Sequence, residues 1–583
     1  MKLGDVRRRS VIASALLAGL VGCGGGGGDN SQQPTQQAQQ TQPVLKAGAV
    51  SSPNPFGAQA AKQVLDQGGN AVDAGVAVAF ALAVTFPAAG NIGGGGFMTI
   101  YMEGKPYFVD YREKAPGAAT PTMYLDASGN VVPGLSLNGS LASGVPGTVA
   151  GLQAAHQKFG KLRWSQVMAP AIGYARDGFT AYDTATPTSN ANRGNFNNYF
   201  GGKMIAGQAF KQPELAATLQ RISDGGADEF YKGQTADLLV AQMRRTNGII
   251  SKADLANYKA VWRDPVAISF NGHMIYTAPP PSSGGFGIGQ LVKMKSFLAP
   301  RFASAPLNSA QYIHLTAEME KRVFADRAQY LGDSDFFKVP MTELLSDDYL
   351  RRRALEVNPQ VPTPLAQVQP GLGTSFPAAA AATERPQTTH FSIVDKWGNA
   401  VSNTYTLNGG YGSGIVVEGA GFLLNNEMDD FAAKPGVPNQ FGVVGSDANS
   451  VQPNKRPLSS MSPTIATKDG KVALVAGTPG GSRIFTSVYQ VLVDVLDYNL
   501  PIAEAQAQPR FHHQLLPDNV IEYEASKYPA SVAADLTRRG WIMRDGVAGG
   551  LNIEAVQVIG DTPVPVTDPR SKSGLALVVP PVN

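Results

Sequence analysis

The chain of 583 residues contains one cysteine, Cys23, so no intrachain disulfide can form. Histidine is also scarce. The six histidines are scattered, and the adjacent pair His512 and His513 would point to opposite faces of a strand. No histidine pair has a third ligand at zinc-like spacing. We therefore expect neither a bound metal nor another cofactor.

Charge is sparse as well, since only 16% of the residues are charged and the net charge is +3. No long block of like charges is present, so we expect no nucleic-acid surface. Several common catalytic signatures are missing, namely the G-x-S-x-G elbow, the Walker phosphate loop and the H-E-x-x-H zinc motif. The four glycines at 93–96 lack the spacing of a dinucleotide-binding loop. These absences exclude the most easily recognised enzyme classes.

The first 23 residues have the composition of an export signal. Arg7–Arg9 supply positive charge, and the apolar run 11–22 is too short for a membrane-spanning helix. The run ends in Leu-Val-Gly-Cys, which resembles a bacterial lipobox, so 1–23 is expected to be a lipoprotein signal segment with Cys23 as the lipidated residue. The alternative is an ordinary cleaved signal with an incidental cysteine. Because Gly24 follows the cysteine, we expect a periplasmic protein held on the outer membrane only by its lipid.

Residues 24–44 are rich in glycine and then in glutamine, which predicts a disordered linker. Hydrophobic periodicity in the rest of the chain predicts both helices and strands. The predicted helices cover 58–65, 71–84, 310–330 and 484–498, and the region 148–245 is expected to be mostly helical. The predicted strands cover 97–101, 107–111, 391–394, 401–406, 472–476 and 556–559.

A second low-complexity stretch, 362–387, ends abruptly at Thr388-Thr389-His390. In an intact chain Thr388 is an ordinary threonine. If the Gln387–Thr388 bond were cut, one residue would carry both a hydroxyl and a free α-amino group. Such an amine has an unperturbed pKa of about 7.7–8.0, which suits a general base near neutral pH. The cut can be intramolecular, through attack of the Thr388 hydroxyl on the preceding carbonyl.

Ordered motifs extend from about residue 48 to residue 576. Those before the low-complexity stretch lie at 68–74, 93–97, 144–148, 279–285 and 325–327. The most specific ones lie at 388–390, 424–431, 457–463 and 479–483. In these motifs the chain resembles the γ-glutamyltransferase family of N-terminal-nucleophile hydrolases.

The resemblance implies an α+β fold, a four-layer αββα sandwich. It also implies a precursor that cuts itself into a large subunit, 45–387, and a small catalytic subunit, 388–583. The implied reaction is γ-glutamyl transfer and hydrolysis on glutathione-like donors through a γ-glutamyl ester on Thr388. An amino acid, a peptide or water would be the acceptor.

The implied catalytic residues are Thr388 as nucleophile and Thr406 as the hydroxyl that orients it. Backbone N–H groups of Gly480 and Gly481 would form the oxyanion hole. The donor's head carries a carboxylate and an ammonium on one carbon. The planar guanidinium of Arg112 suits the carboxylate because it can bond both oxygens at once. The resemblance assigns further carboxylate contacts to Ser459 and Ser460, and ammonium contacts to Asn408, Glu427 and Asp430.

Two alternatives remain open at this stage. The first is a cephalosporin or glutaryl acylase on the same fold, and the second is a catalytically silent lipoprotein binding module. The run 435–439 resembles the family's lid loop and favours the transferase. Many bacterial relatives carry a lid tyrosine where this chain has Phe441, so we expect a more mobile lid.

Overall fold

Two stacked β-sheets form the middle of the molecule, in a computed structural model that describes residues 45–186, 194–373, 388–546 and 551–581. The chain from Gln42 to Asn583 is one compact unit. The predicted signal segment, lipidation site and linker lie outside the described residues. The Gln387 side of the predicted cleavage site also lies outside them.

Strands and helices are numbered in chain order. Within the described ranges, the first sheet contains seven strands, in the spatial order β18 (Leu575–Val579), β1 (Gly48–Ser52), β9 (Thr388–Val394), β10 (Ala400–Thr406), β2 (Gly95–Met102), β3 (Lys105–Asp110) and β6 (Val261–Arg263). The second contains six, in the order β17 (Thr562–Thr567), β16 (Glu554–Ile559), β12 (Lys471–Gly477), β11 (Thr464–Lys468), β8 (His273–Thr277) and β7 (Val266–Phe270). All neighbouring strands in these two sheets are antiparallel.

Shorter strands pair at the periphery, and they are β4 (Phe179–Thr180) with β5 (Ala209–Phe210), and β13 (Phe511–His512) with β14 (Val520–Tyr523) and β15 (Ile542–Asp545).

Helices cover the outer face of each sheet. The layer on the first sheet shares its apolar core and consists of α1 (Pro55–Asp66), α2 (Ala71–Thr85), α3 (Thr148–Phe159), α4 (Trp164–Asp177), α5 (Phe196–Tyr199), α6 (Pro213–Gly225), α7 (Ala227–Lys232), α8 (Gln234–Arg245) and α9 (Lys252–Asn257). The layer on the second sheet consists of α10 (Gly284–Phe297), α11 (Ala299–Ala303), α12 (Ala310–Tyr330), α13 (Met341–Leu344), α14 (Asp347–Leu355), α15 (Ile484–Leu496), α16 (Ile502–Ala507) and α17 (Ala530–Arg539).

A separate apolar cluster fills the space between the two sheets. It includes Val394 from the first sheet and Ile465, Val475 and Val556 from the second. Apolar side chains on both faces of each sheet explain why the central strands are buried along their whole length. The result is the αββα sandwich of the α+β class, as expected.

The central helix of the first layer shows how local sequence sets an element. Helix α2 begins after Asn70, whose side chain accepts the Asp73 N–H while the Asp73 carboxylate accepts the Asn70 N–H. This capping box satisfies two of the N–H groups that have no partner within the helix. All of α2 is buried, as its run of alanine and valine predicts. In the described part of the chain, no helix has the length and apolar character needed to cross a membrane.

The helices and strands predicted from periodicity are present, with ends shifted by up to three residues. The sequence did not reveal β1 or the edge strand β18, which pair with each other over five residues. It also missed β11 and the hairpin formed by β7 and β8. All of these strands are short, and β1 and β18 in addition depend on partners that lie far away in the chain.

Candidate active site

The hairpin of β9 and β10 places Thr388 beside Thr406. The antiparallel register pairs these two residues directly, and their Oγ1 atoms lie 3.2 Å apart. The backbone N–H of Asn408 donates to Thr406 Oγ1 at 2.8 Å. Since Thr406 accepts that bond, its hydroxyl proton can be donated to Thr388 Oγ1. The sheet register therefore produces the pair that the sequence predicted as nucleophile and orienting hydroxyl.

Asn408 occupies a tight bend after β10. Its φ of 77° is in the left-handed region, which asparagine tolerates better than most residues. Its side-chain amide donates to the Asn426 carbonyl at 2.9 Å. This bond ties the end of β10 to the segment that carries Glu427 and Asp430.

The glycine pair Gly480 and Gly481 lies between β12 and α15. Both residues have positive φ, 141° and 58°, and such conformations favour glycine. A short 3-10 turn, Gly481–Arg483, then leads into α15, so the loop lies at the positive end of a helix. Gly481 lines the same pocket as Thr388, while Gly480 is its neighbour outside the lining.

Arg112 follows β3 and is held by its own backbone. Its N–H donates to the Asp110 carboxylate at 2.9 Å, and its carbonyl accepts the Tyr258 hydroxyl at 2.8 Å. Asp110 is in turn paired with Arg263 at 2.8 Å. The side chain of Arg112 is buried and extends toward Glu427 and Asp430.

The Arg112 guanidinium forms hydrogen bonds with both Glu427 and Asp430. Its Nε donates to the Pro457 carbonyl at 3.3 Å. Burial alone would lower the pKa of Arg112, but Glu427, Asp430 and Glu113 raise it above its usual value. The arginine therefore stays charged.

The pKa values of the carboxyl groups around Arg112 are raised as well, which for an acid favours the neutral form. Burial raises the pKa of Glu427 and of Asp430, and the nearby Arg112 opposes this shift. Glu113 lies 3.7 Å from the guanidinium, and neither of its carboxyl oxygens has a hydrogen-bond partner. Burial raises the pKa of Glu113 to about 7, against the influence of Arg112. The site is thus a buried cluster of one arginine and three acidic groups.

Ser459 and Ser460 lie on the loop before β11. The Ser283 N–H and hydroxyl both donate to the Ser459 carbonyl, which anchors this loop to the start of α10. Ser460 Oγ accepts a hydrogen bond from Arg327 at 3.2 Å. Both serines line the pocket that contains Thr388.

One pocket gathers nine of the ten catalytic and donor-binding residues predicted from the sequence. Its lining includes Arg112, Thr388, Thr406, Asn408, Glu427, Asp430, Ser459, Ser460 and Gly481. The lining is completed by Phe441 and by five residues to which the sequence assigns no role, namely Arg327, Val443, Met461, Ser482 and Ile484. Arg327 belongs to the Ala-Asp-Arg motif at 325–327, so that motif was the available signal. A larger surface pocket beside Phe200 and Glu214 contains none of the predicted residues.

The two adjacent histidines have structural partners. His512 bonds Thr486 at 2.9 Å, and His513 bonds the Val520 carbonyl at 2.7 Å. Across the ranges that the structure describes, no group of three or more histidine, cysteine or acidic side chains is arranged to hold a metal ion.

Comparisons with known proteins identify the family of this chain. Residues 57–578 match the model of the family described as gamma-glutamyltranspeptidase. The chain belongs to the γ-glutamyltranspeptidase family. It is 57% identical over 545 residues to a protein named glutathione hydrolase proenzyme from Pseudomonas aeruginosa, covering 92% of this chain and 95% of that protein. The predicted membership of this enzyme family is therefore confirmed.

Solved structures agree with this assignment. A γ-glutamyltranspeptidase from Pseudomonas nitroreducens complexed with L-DON is 54% identical, with a TM-score of 0.54, and covers 56% of this chain and 100% of its own. A cephalosporin acylase from Bacillus halodurans is 24% identical with a TM-score of 0.78, and covers 94% of this chain and 98% of its own. At that identity the acylase supports the fold alone. The fold class is confirmed by both.

Proposed function

We propose that this γ-glutamyltranspeptidase transfers γ-glutamyl groups from glutathione-like donors to amino acids, peptides or water, with Thr388 as nucleophile. One observation carries the proposal. A single pocket contains the Thr388–Thr406 hydroxyl pair and a buried cluster of opposite charges. A hydroxyl pair supplies a nucleophile, and the charges fit an amino-acid head that is both cationic and anionic.

Maturation would be the first reaction of Thr388. Its Oγ attacks the Gln387 carbonyl carbon, the C–N bond breaks as the proton moves to nitrogen, and an ester joins the two parts. Water then hydrolyses that ester. The products are the large subunit ending at Gln387 and the small subunit, 388–583, whose new α-amino group lies on the nucleophile itself.

Acyl transfer would use that amino group as the base. It takes the Thr388 hydroxyl proton while Oγ attacks the donor's γ-carbonyl carbon. The N–H groups of Gly480 and Gly481 are proposed to stabilise the negative oxygen that forms. The proton then moves to the nitrogen of the departing amine, and the donor's C–N bond breaks. The γ-glutamyl ester of Thr388 remains. Water or an acceptor amine attacks this ester and restores Thr388.

Donor recognition would replace the ion pairs that Arg112 forms with Glu427 and Asp430. The donor's α-carboxylate takes the place of acidic groups on Arg112, with Ser459 and Ser460 as further donors. Its α-ammonium is bound by Glu427 and Asp430. Because the donor head carries one charge of each sign, the buried charges stay balanced when it binds.

The alternative function, a glutaryl or cephalosporin acylase, predicts a different donor preference. Glutaryl and γ-glutamyl groups have the same chain length, but the glutaryl group lacks the α-ammonium. The buried pair Glu427 and Asp430 favours a donor with that cation, so we expect kcat/KM for γ-glutamyl anilide to exceed that for glutaryl anilide by about a hundredfold or more. Equal values would contradict the proposed function and support the acylase.

We also propose that Cys23 is lipidated and holds the protein on the outer membrane, which rests on the Leu-Val-Gly-Cys sequence at 20–23. Cys23→Ala should abolish labelling by a fatty-acid probe and remove the protein from the membrane fraction or leave its signal uncut. Cys23→Ser, which also removes the thiol, should behave in the same way. Wild-type protein with a free thiol in the soluble fraction would contradict the anchor.

A further inference from the structure

The pocket contains a second arginine, Arg327, which takes no part in the reaction steps proposed above. It lies near the end of α12, is buried and lines the pocket with Thr388 and Ser460. Among the described residues, no carboxylate lies within ion-pair distance of its guanidinium, whereas Arg112 has three acidic neighbours. A buried cation without an anionic partner is costly. Burial accordingly lowers the pKa of Arg327 to about 10, which Asp430 opposes.

The hydrogen bonds of Arg327 go to two hydroxyl oxygens. Its Nε donates to Ser283 Oγ at 3.0 Å, and its Nη2 donates to Ser460 Oγ at 3.2 Å. The Ser283 hydroxyl donates to the Ser459 carbonyl at 2.9 Å and, in a longer 3.4 Å contact, to Ser460 Oγ, which is again the acceptor. Ser283 thus links the arginine to the serine loop on one side and to α10 on the other.

The direction of these bonds fixes what Ser460 can do. A hydroxyl has one proton and two acceptor positions. Because Ser460 Oγ accepts from the Arg327 cation, its proton must point elsewhere. Among the described residues, no hydrogen bond has the Ser460 hydroxyl as donor. That proton is therefore available to a negatively charged oxygen in the pocket.

Charge counting points to the same ligand group. The three acidic groups Glu113, Glu427 and Asp430 surround Arg112, which is therefore already paired on its acidic side. Arg327 is the second cation, and it lies on the side of Ser460 rather than beside the acidic cluster. An anionic group bound at Ser460 would thus have Arg327 directly behind that serine, in a pocket that Arg112 also lines.

We infer that Arg327 is a positioning residue for the α-carboxylate of the γ-glutamyl donor, acting by directing the Ser460 proton toward that carboxylate and by placing a second cation behind it. The inference rests on the proposed function. It assigns Arg327 to substrate selection and not to bond breaking. It therefore predicts an effect that depends on whether the donor has an α-carboxylate.

The test compares γ-glutamyl anilide with 4-aminobutanoyl anilide, which keeps the amine and the scissile bond but lacks the α-carboxylate. Arg327→Met should lower kcat/KM for the γ-glutamyl donor by about 10- to 100-fold, mainly through KM. The rate with the other donor should change by less than about threefold. Arg327→Lys, which keeps the charge but not the planar fork, should lie between Arg327→Met and wild type.

A double-mutant cycle tests the route through Ser460. If Arg327 acts by orienting that hydroxyl, Arg327→Met should cost much less in a Ser460→Ala background than in wild type. Arg221→Met is the matched control, because Arg221 also bonds two threonine hydroxyls but lies outside the pocket and pairs with Glu229. The control should leave the ratio between the two donors unchanged.

Equal losses on both donors, or costs of Arg327→Met and Ser460→Ala that simply multiply, would overturn the inference. If Arg327→Met does not fold or mature, the same comparison of the two donors is made with Arg327→Lys and Ser283→Ala. Both should reduce the preference for the α-carboxylate, and an unchanged preference in both would overturn the inference. Failure of the proposed function is a separate result, since wild-type enzyme would then not prefer the γ-glutamyl donor.

Discussion

Replacing Arg112 with lysine tests the charge cluster directly. The guanidinium bonds Glu427 with one terminal nitrogen and Asp430 with the other, and its Nε bonds the Pro457 carbonyl. Lysine has the same charge concentrated on one nitrogen, so it cannot span these partners or bond both oxygens of a donor carboxylate. We expect Arg112→Lys to keep the fold and to weaken donor binding.

The size of the effect follows from the bonds that are lost. A hydrogen bond to a charged group contributes about 1.5–3 kcal/mol, and about 1.4 kcal/mol corresponds to a tenfold change in an equilibrium constant. Loss of one of two bonds to the donor carboxylate should raise KM by roughly 10- to 150-fold, with a smaller effect on kcat. Arg112→Met should be worse, because it leaves buried carboxylates without their cation, at a cost to stability of about 3–5 kcal/mol.

Steady-state kinetics on γ-glutamyl anilide and thermal unfolding of each variant measure the two effects separately. Arg221→Lys, a substitution outside the pocket, is the control for general effects of the change. If Arg112→Lys retains wild-type KM and kcat, Arg112 does not bind the donor, and the assignment of the carboxylate site is wrong.

Two further predictions concern the lid and the buried acid. Phe441 is held through its backbone, since its N–H donates to Asn439 at 3.0 Å and its carbonyl accepts from Gln514 at 2.9 Å. Phe441→Tyr adds a hydroxyl that can bond Asn408, so donor KM and the deacylation rate in burst kinetics should each fall by about two- to tenfold. If both stay within about twofold of wild type, these backbone bonds already keep the lid closed. Glu113 has a folded-state pKa of about 7, raised above the usual value of an unfolded chain, so its ionisation destabilises the fold as pH rises from about 4.5 to 7. Glu113→Gln removes this penalty, and its melting temperature relative to wild type should increase across that pH range. A difference in melting temperature that is constant with pH would show that Glu113 does not titrate there.

The sequence predicted most of the residues that line the pocket with Thr388, because they lie in short, specific motifs. The pairing of Thr388 with Thr406 could also be inferred from the sequence, since Thr388 begins the first strand of a hairpin and Thr406 ends the second. The proposed role of Arg327 could not be predicted, because it depends on the direction of two hydrogen bonds and on the lack of a carboxylate partner among the described residues. Strand β1 and the edge strand β18 were missed for a similar reason, since residues more than 500 positions apart form that pair.

Self-cleavage at Thr388 is the most direct test of the proposed mechanism. Purified wild-type protein should give two bands on a denaturing gel, and N-terminal sequencing of the smaller one should begin Thr-Thr-His. Thr388→Ala should give one intact chain without activity on γ-glutamyl anilide, whereas Thr389→Ala, next to it on β9, should still be cut. Cleavage of purified Thr388→Ala at the same bond, or an active wild-type protein that remains a single chain, would contradict Thr388 as the nucleophile.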